Sequence, residues 1–152
     1  MSDLPTAAIF VAIPREYEAV RERLNDVELR PKAGETFHVG RLDLDNCSWQ
    51  IILKETGRGN VSSSQAFTDT FHHFELDLAL FVGTAGGLKD VKPGDVIAAT
   101  QMTHYHRGVE NDEFEPRFRS PLANRTAEEC ARALTQEENW IRYCRFSDCK
   151  DS

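Results

Sequence analysis

The chain lacks several features, and each lack removes a class of protein. It has no uninterrupted apolar run of the roughly 18 residues that a membrane-spanning helix needs, so no membrane partner is expected. It has no CxxC pair; Cys47, Cys130, Cys144 and Cys149 are dispersed over 152 residues. Such dispersal reads as reduced thiols in a cytoplasmic protein rather than as a disulfide frame. Positive charge is scarce: 18 Lys and Arg stand against 25 Asp and Glu, a net charge of −7. Phosphate backbones are repelled by such a chain, and no nucleic acid partner is expected. No basic region precedes the apolar run Ala7–Ile13 and no small-residue cleavage site closes it, so a secretory signal is not expected. Internal repeats, low-complexity segments, the Gly-Lys-Ser/Thr of a P-loop and the GxGxxG dinucleotide fingerprint are also missing. What remains is ordinary: 40% hydrophobic and 28% charged residues, enough for the core of one domain.

Ala8–Ile13 reads as a buried strand, and Pro14 suits the first position of a helix. Tyr17, Val20, Leu24 and Val27 follow at helical spacing. Pro31–Gly34 reads as a break. Thr36–Gly40 and Cys47–Leu53 read as strands joined by a polar turn at Asp43–Asn46. Gly57 and Gly59 punctuate a loop over Glu55–Asn60, and Asn60 is placed to cap a helix with a core stripe of Val61, Phe67, Phe71 and Phe74. Asp77–Val82 reads as another buried strand. Pro93-Gly94-Asp95 is a turn, with Val96–Ala99 and Met102–His106 extended after it. Val109–Ala123 reads as a loop. Thr126-Ala127-Glu128-Glu129 matches a capping box, with a helix through Leu134 toward Trp140. Strands alternating with helices predict an α/β fold, a twisted mixed but largely parallel central sheet flanked by helices. Residues 1–140 form the domain and 141–152 an irregular tail. In such folds ligands bind beyond the carboxyl ends of the strands, which here are Ile13–Glu16 and Gly83–Gly87.

Three constellations carry chemistry. Gly83-Thr84-Ala85-Gly86-Gly87 follows a buried strand directly, so backbone N–H groups and the Thr84 hydroxyl can meet an oxygen-rich ligand; a tight strand-exit turn explains the same residues without one. Glu16 sits in the first turn of a helix, where the helix dipole favours the carboxylate; acids also collect there for stability alone. Gly57-Arg58-Gly59-Asn60 precedes a helix, and Arg58 with the helix N-terminus suits an anion; a turn with a cap is the plainer reading. His104 and His106 share a strand face but have no evident third ligand, so no metal and no other cofactor is expected.

In order and spacing over residues 8–108, these segments resemble the phosphorylase superfamily of purine and uridine nucleosides, and within it the methylthioadenosine/S-adenosylhomocysteine nucleosidases. The resemblance rests on Ala12-Ile13-Pro14-Arg15-Glu16, Thr56-Gly57-Arg58-Gly59-Asn60, Val82-Gly83-Thr84-Ala85-Gly86-Gly87-Leu88, Pro93-Gly94-Asp95-Val96 and Tyr105-His106. It implies cleavage of an N-ribosidic bond through a ribosyl cation-like transition state, with Glu16 activating water and Thr84 contacting the nucleophile and ribose. It further implies Ile13 against the sugar, and Ala85, Gly86 and Gly87 as backbone near the base. Phosphorylases of this superfamily carry a Gly-Asp-Pro loop and an arginine where this chain has Ala12-Ile13-Pro14 and Phe81, which favours water over phosphate. Arg58 keeps phosphate as an alternative nucleophile.

The family domain continues further, and its second half supplies a Met-Glu pair and an aspartate that protonates the purine. Neither is found in this sequence, so the domain reads as the N-terminal part of a truncated, split or excised protein, of doubtful activity alone. The leading expectation is a hydrolytic nucleosidase acting on a purine nucleoside such as methylthioadenosine, homo-oligomeric when the complete domain is present. The alternatives are a non-catalytic nucleoside-binding or interaction module or a part of a larger signalling protein, a phosphate-dependent phosphorylase, and a nonfunctional fragment.

Overall fold

A computed structural model describes residues 4–87, 90–101, 108–110, 114–116 and 124–136. The chain divides into two units, residues 1–86 and 87–152. In the first, β1 (Thr6–Val11) leads into α1 (Pro14–Arg21), then β2 (Asn25–Lys32), β3 (Glu35–Asp43), β4 (Ser48–Glu55), α2 (Asn60–His73) and β5 (Leu78–Phe81). The second holds β6 (Gly108–Glu110), β7 (Phe114–Pro116) and α3 (Arg125–Gln136).

Five strands form one mixed sheet in the order β2-β3-β4-β1-β5. β1 pairs in parallel with β4 on one side and β5 on the other, while β2–β3 and β3–β4 are antiparallel. The expected mixed α/β sheet is therefore present, with its parallel part at β4-β1-β5. Burial follows from that order. β1 has neighbours on both edges, and Ala8, Phe10 and Val11 are all but fully buried. In β4 the consecutive residues Ile51, Ile52 and Leu53 are all buried, the run expected of a strand covered on both faces. Ala8, Phe10, Phe37, Val39 and Ile52 form the core, against which Phe74, Leu76 and Ala79 pack. Phe37 meets Phe74 edge-on at 5.1 Å between centroids, and the Lys54 ammonium lies 4.7 Å over the Phe37 ring while pairing with Glu35.

Several local expectations are corrected. The helical spacing that runs on to Val27 is misleading: α1 stops at Arg21, and Val27 lies in β2. Leu24 and Val27 are spaced for a helix but are used to cover Gly40 of β3, where an added Cβ would fall 3.1 Å from each. Pro31–Gly34 is not a break between elements. It is the end of β2 plus a two-residue hairpin turn, with φ of 50° at Ala33 and 84° at Gly34. α2 is capped by Gly59, not Asn60, and buries Ala66 and Thr70 rather than the phenylalanine stripe. Of that stripe Phe74 packs on the core and Phe67 sets its ring 5.6 Å from that of Phe10; Val61 is 83% exposed, and Phe67 and Phe71 are about half exposed.

In the second unit, residues Val96–Ala99 form no strand, and Met102–His106 lie outside the described residues. The loop expected over Val109–Ala123 contains the antiparallel pair β6–β7, with Gly108 opposite Pro116. The helix expected after residue 125 is present, but Asn124 caps it: its Oδ1 accepts the N–H groups of Thr126 and Ala127 at 2.9 and 3.3 Å. Residues 137–152, including the Trp140 end of that expectation, lie outside the described residues. Among the described residues no helix is long and apolar enough to cross a membrane.

Candidate active site at the strand tips

Parallel pairing brings the carboxyl ends of three strands to one edge of the sheet. Val11 is in register with Glu55 and Phe10 with Phe81. Beyond the strands the pairing continues: the Thr56 N–H donates to the Val11 carbonyl and the Val82 N–H to the Phe10 carbonyl, each at 2.8 Å. The segments that follow, Ala12–Glu16, Thr56–Asn60 and Gly83–Gly86, thus leave the sheet at the same end.

Pro14 begins α1 immediately after the extended residue Ile13 (φ −133°, ψ 155°), which sets Glu16 in the first helical turn. From there the Glu16 carboxylate turns back to the loop. Its Oε2 accepts the N–H groups of Ala12 and Ile13 at 3.0 and 3.3 Å. Its Oε1 accepts the N–H and the hydroxyl of Thr84 at 2.7 and 2.8 Å. A single carboxylate therefore joins the tips of β1 and β5. Donation to the charged form holds Glu16 below the ordinary glutamate value, the Thr84 N–H contributing most; partial desolvation opposes it, and the Thr84 hydroxyl and the Ala12 and Ile13 N–H groups reinforce it. Glu16 is thus an ionised acceptor suited to orienting water or facing developing positive charge.

The structure brings together Glu16, Thr84 and Ile13, the last half-buried beside the carboxylate it helps to hold. Ala85 and Gly86 follow Thr84 and are exposed. Gly87 opens the second unit, where a Cβ would fall 2.9 Å from Val91 Cβ, so its missing side chain serves the local turn toward Val91. Arg58 is exposed at the same sheet end, and neither a hydrogen bond nor an ion pair joins it to Glu16 or Thr84. His104 and His106 lie outside the described residues. Among the described residues no three His, Cys, Asp or Glu side chains converge as metal ligands.

Thr56 was visible in the sequence only as the start of a glycine-rich loop. It is buried, and its hydroxyl lies 3.2 Å from the Val11 carbonyl and 2.9 Å from that of Gly57, while Ser63 donates to it at 3.3 Å. A hydroxyl residue immediately past the end of a strand was the available signal. Two clefts of the first unit lie elsewhere. One of about 640 Å³ is lined by Thr6, Gln50, His73 and Asp77 at the opposite end of the sheet, and one of about 370 Å³ runs along α1. Hydrogen bonding at the strand tips marks the site.

A mixed sheet with an acid and a hydroxyl joined at the carboxyl ends of its parallel strands defines an α/β protein with a polar site at that edge. The sequence model of the Phosphorylase superfamily matches residues 6–145, and the chain belongs to that superfamily. It is 30% identical over 101 residues to a 5′-methylthioadenosine/S-adenosylhomocysteine nucleosidase of Colwellia psychrerythraea, covering 66% of this chain and 40% of that protein. It is 31% identical over 100 residues to the nucleosidase of the same name from Geobacillus kaustophilus, covering 65% and 41%. Among solved structures, the Colwellia psychrerythraea nucleosidase in complex with adenine matches with a TM-score of 0.57 at 27% identity, covering 69% of this chain and 42% of that one. The Helicobacter pylori nucleosidase shares the fold with a TM-score of 0.76 at 23% identity, over 91% of this chain and 61% of that one. The chain spans about 40% of the length of the curated relatives it matches.

Proposed function

We propose that the chain carries the water-activating half of a purine nucleosidase site, with Glu16 as the water-orienting base and Thr84 as the hydroxyl that contacts the nucleophile and ribose. The observation that carries this reading is the 2.8 Å bond from the Thr84 hydroxyl to Glu16 Oε1 across the tips of two parallel strands. The reaction is hydrolysis of a nucleoside such as methylthioadenosine. A water oxygen bonds to C1′, the C1′–N9 bond breaks with its electron pair going to the purine, and the water proton passes to the Glu16 carboxylate. The carboxylate also faces the positive charge that develops on the ribose. Ile13 packs against the sugar, and the backbone of Ala85 and Gly86 lies toward the base.

Water is favoured over phosphate because β5 ends in Phe81, an aromatic that offers no charge to a phosphate dianion. The names of the matched relatives support a nucleosidase over a phosphorylase or a non-catalytic binding module. The reading carries with it a cytoplasmic location and a homo-oligomeric assembly, which light scattering of the purified protein checks.

The test is adenine release from methylthioadenosine by the purified protein, followed by chromatography with and without phosphate. Release independent of phosphate is expected, reduced about 10²-fold or more in Glu16→Gln. Equal rates in the two proteins would remove Glu16 from the chemistry. A ribose 1-phosphate product would replace hydrolysis with phosphorolysis.

A further inference from the structure

We infer that Gly83 is a positioning residue for Glu16: with no side chain at position 83, the carboxylate lies against the backbone and reaches both donors of Thr84. The significance for catalysis rests on the nucleosidase reading; the geometry does not. A Cβ built on Gly83 would have three atoms of one group as its nearest neighbours, Glu16 Oε1 at 3.1 Å and Cδ and Oε2 at 3.2 Å. Near-equal distances to all three mean that the flat face of the carboxylate covers the position a side chain would take. The backbone itself does not ask for glycine here, because Gly83 is not among the glycines of positive φ, unlike Gly57 and Gly59. Its conformation is open to any L-residue.

The end of a glutamate side chain ordinarily moves aside at little cost. This one is held from both sides, by Ala12 and Ile13 at 3.0 and 3.3 Å and by Thr84 at 2.7 and 2.8 Å. A methyl group at position 83 pushes the carboxylate away from the backbone, and the bonds to Thr84 in the next residue lengthen first. Gly83 therefore acts through Glu16 and not by touching substrate.

A double-mutant cycle tests this. Gly83→Ala in the 152-residue chain is expected to lower the urea midpoint and to raise the carboxyl titration of Glu16, read by carbon NMR, toward the ordinary glutamate value. In a Glu16→Ala background the same substitution is expected to leave the midpoint unchanged, because the group it collides with is gone. In the adenine-release assay kcat falls, by up to about 10²-fold, with KM nearly unchanged. Equal losses of stability in the two backgrounds, or an unmoved Glu16 titration, would overturn the inference. Should Gly83→Ala alone not fold, folding of the double variant supports the assignment and its failure to fold overturns it. Absence of adenine release by the unsubstituted protein would count against the nucleosidase reading alone, since the titration and the cycle read the geometry without turnover.

Discussion

Thr84 turns both of its donors on one oxygen of Glu16: the backbone N–H lies 2.7 Å and the hydroxyl 2.8 Å from Oε1. The N–H is fixed by the chain, but the hydroxyl can rotate. Thr84→Val keeps the first and removes the second. The Glu16 titration should then move up, though only part of the way, because the N–H contributes most to the depression. The loss of stability should be small, about 1 kcal/mol, as a bond to a charge at an exposed residue. Carbon NMR titration and urea melts of the two proteins check both.

Glu16 also makes stability depend on pH, and the sign follows from its depressed value. The unfolded chain binds a proton more readily than the folded one, so stability from this group is complete above about pH 4.5 and is lost as the pH falls through the lower, folded value. Asp43 acts in the same sense, held down first by Ser48 and then by Asn25 and Arg41. Glu16→Gln isolates the first contribution: the gap in melting temperature between it and the parent should narrow steadily below pH 4.5. A gap constant with pH would show that the four bonds to Glu16 contribute no differential stability.

His38 titrates in a higher window. Burial, and then the charge of Arg21, push its value below the ordinary 6.5, and its ring stands edge-on to Tyr17 at 5.3 Å. The folded chain again binds the proton less well than the unfolded one. Stability from neutral His38 is therefore complete above about pH 6.5 and declines as the pH falls through the folded value. In His38→Phe the decline in melting temperature between pH 7 and the start of carboxylate titration should be shallower than in the parent, as scanning calorimetry would show.

The β2–β3 turn contains a built-in strain. Ala33 has φ of 50°, a left-handed conformation that its Cβ resists, followed by Gly34 at 84°. Asn-Gly is the preferred pair for such a turn. Ala33→Asn should stabilise the chain by about 0.5–1 kcal/mol without touching the site. A rise in the urea midpoint at unchanged slope is the expected reading.

Two apolar residues of the first unit should respond very differently to truncation. Ile52 is fully buried in the middle of β4, and Ile52→Ala should cost about 2–5 kcal/mol. Val61 is 83% exposed on α2 despite its place in an apolar pattern, and Val61→Ala should fall within about 0.5 kcal/mol of zero. Comparable losses at both positions, measured by urea denaturation, would contradict the burial described for α2.

Elements whose burial leaves a one-dimensional trace were legible along the chain. The apolar runs of β1 and β4 announce covered strands, Pro14 announces the start of α1, and Glu16 and Thr84 stand out as polar residues just past apolar strands; the apolar run of β5 announces a strand but not its burial, since β5 ends the sheet order and Leu80 and Phe81 are exposed. Packing and strand pairing set the rest. Leu24 and Val27 are spaced for a helix, yet they serve to cover Gly40 from outside α1, because packing against β3 outweighs a weak local periodicity. The strand order β2-β3-β4-β1-β5 has no local signature, and it alone brings residues 16 and 84 within one hydrogen bond of each other. Which side chain faces which is set by parallel pairing between segments 68 positions apart, and no neighbouring residue in the sequence records that pairing.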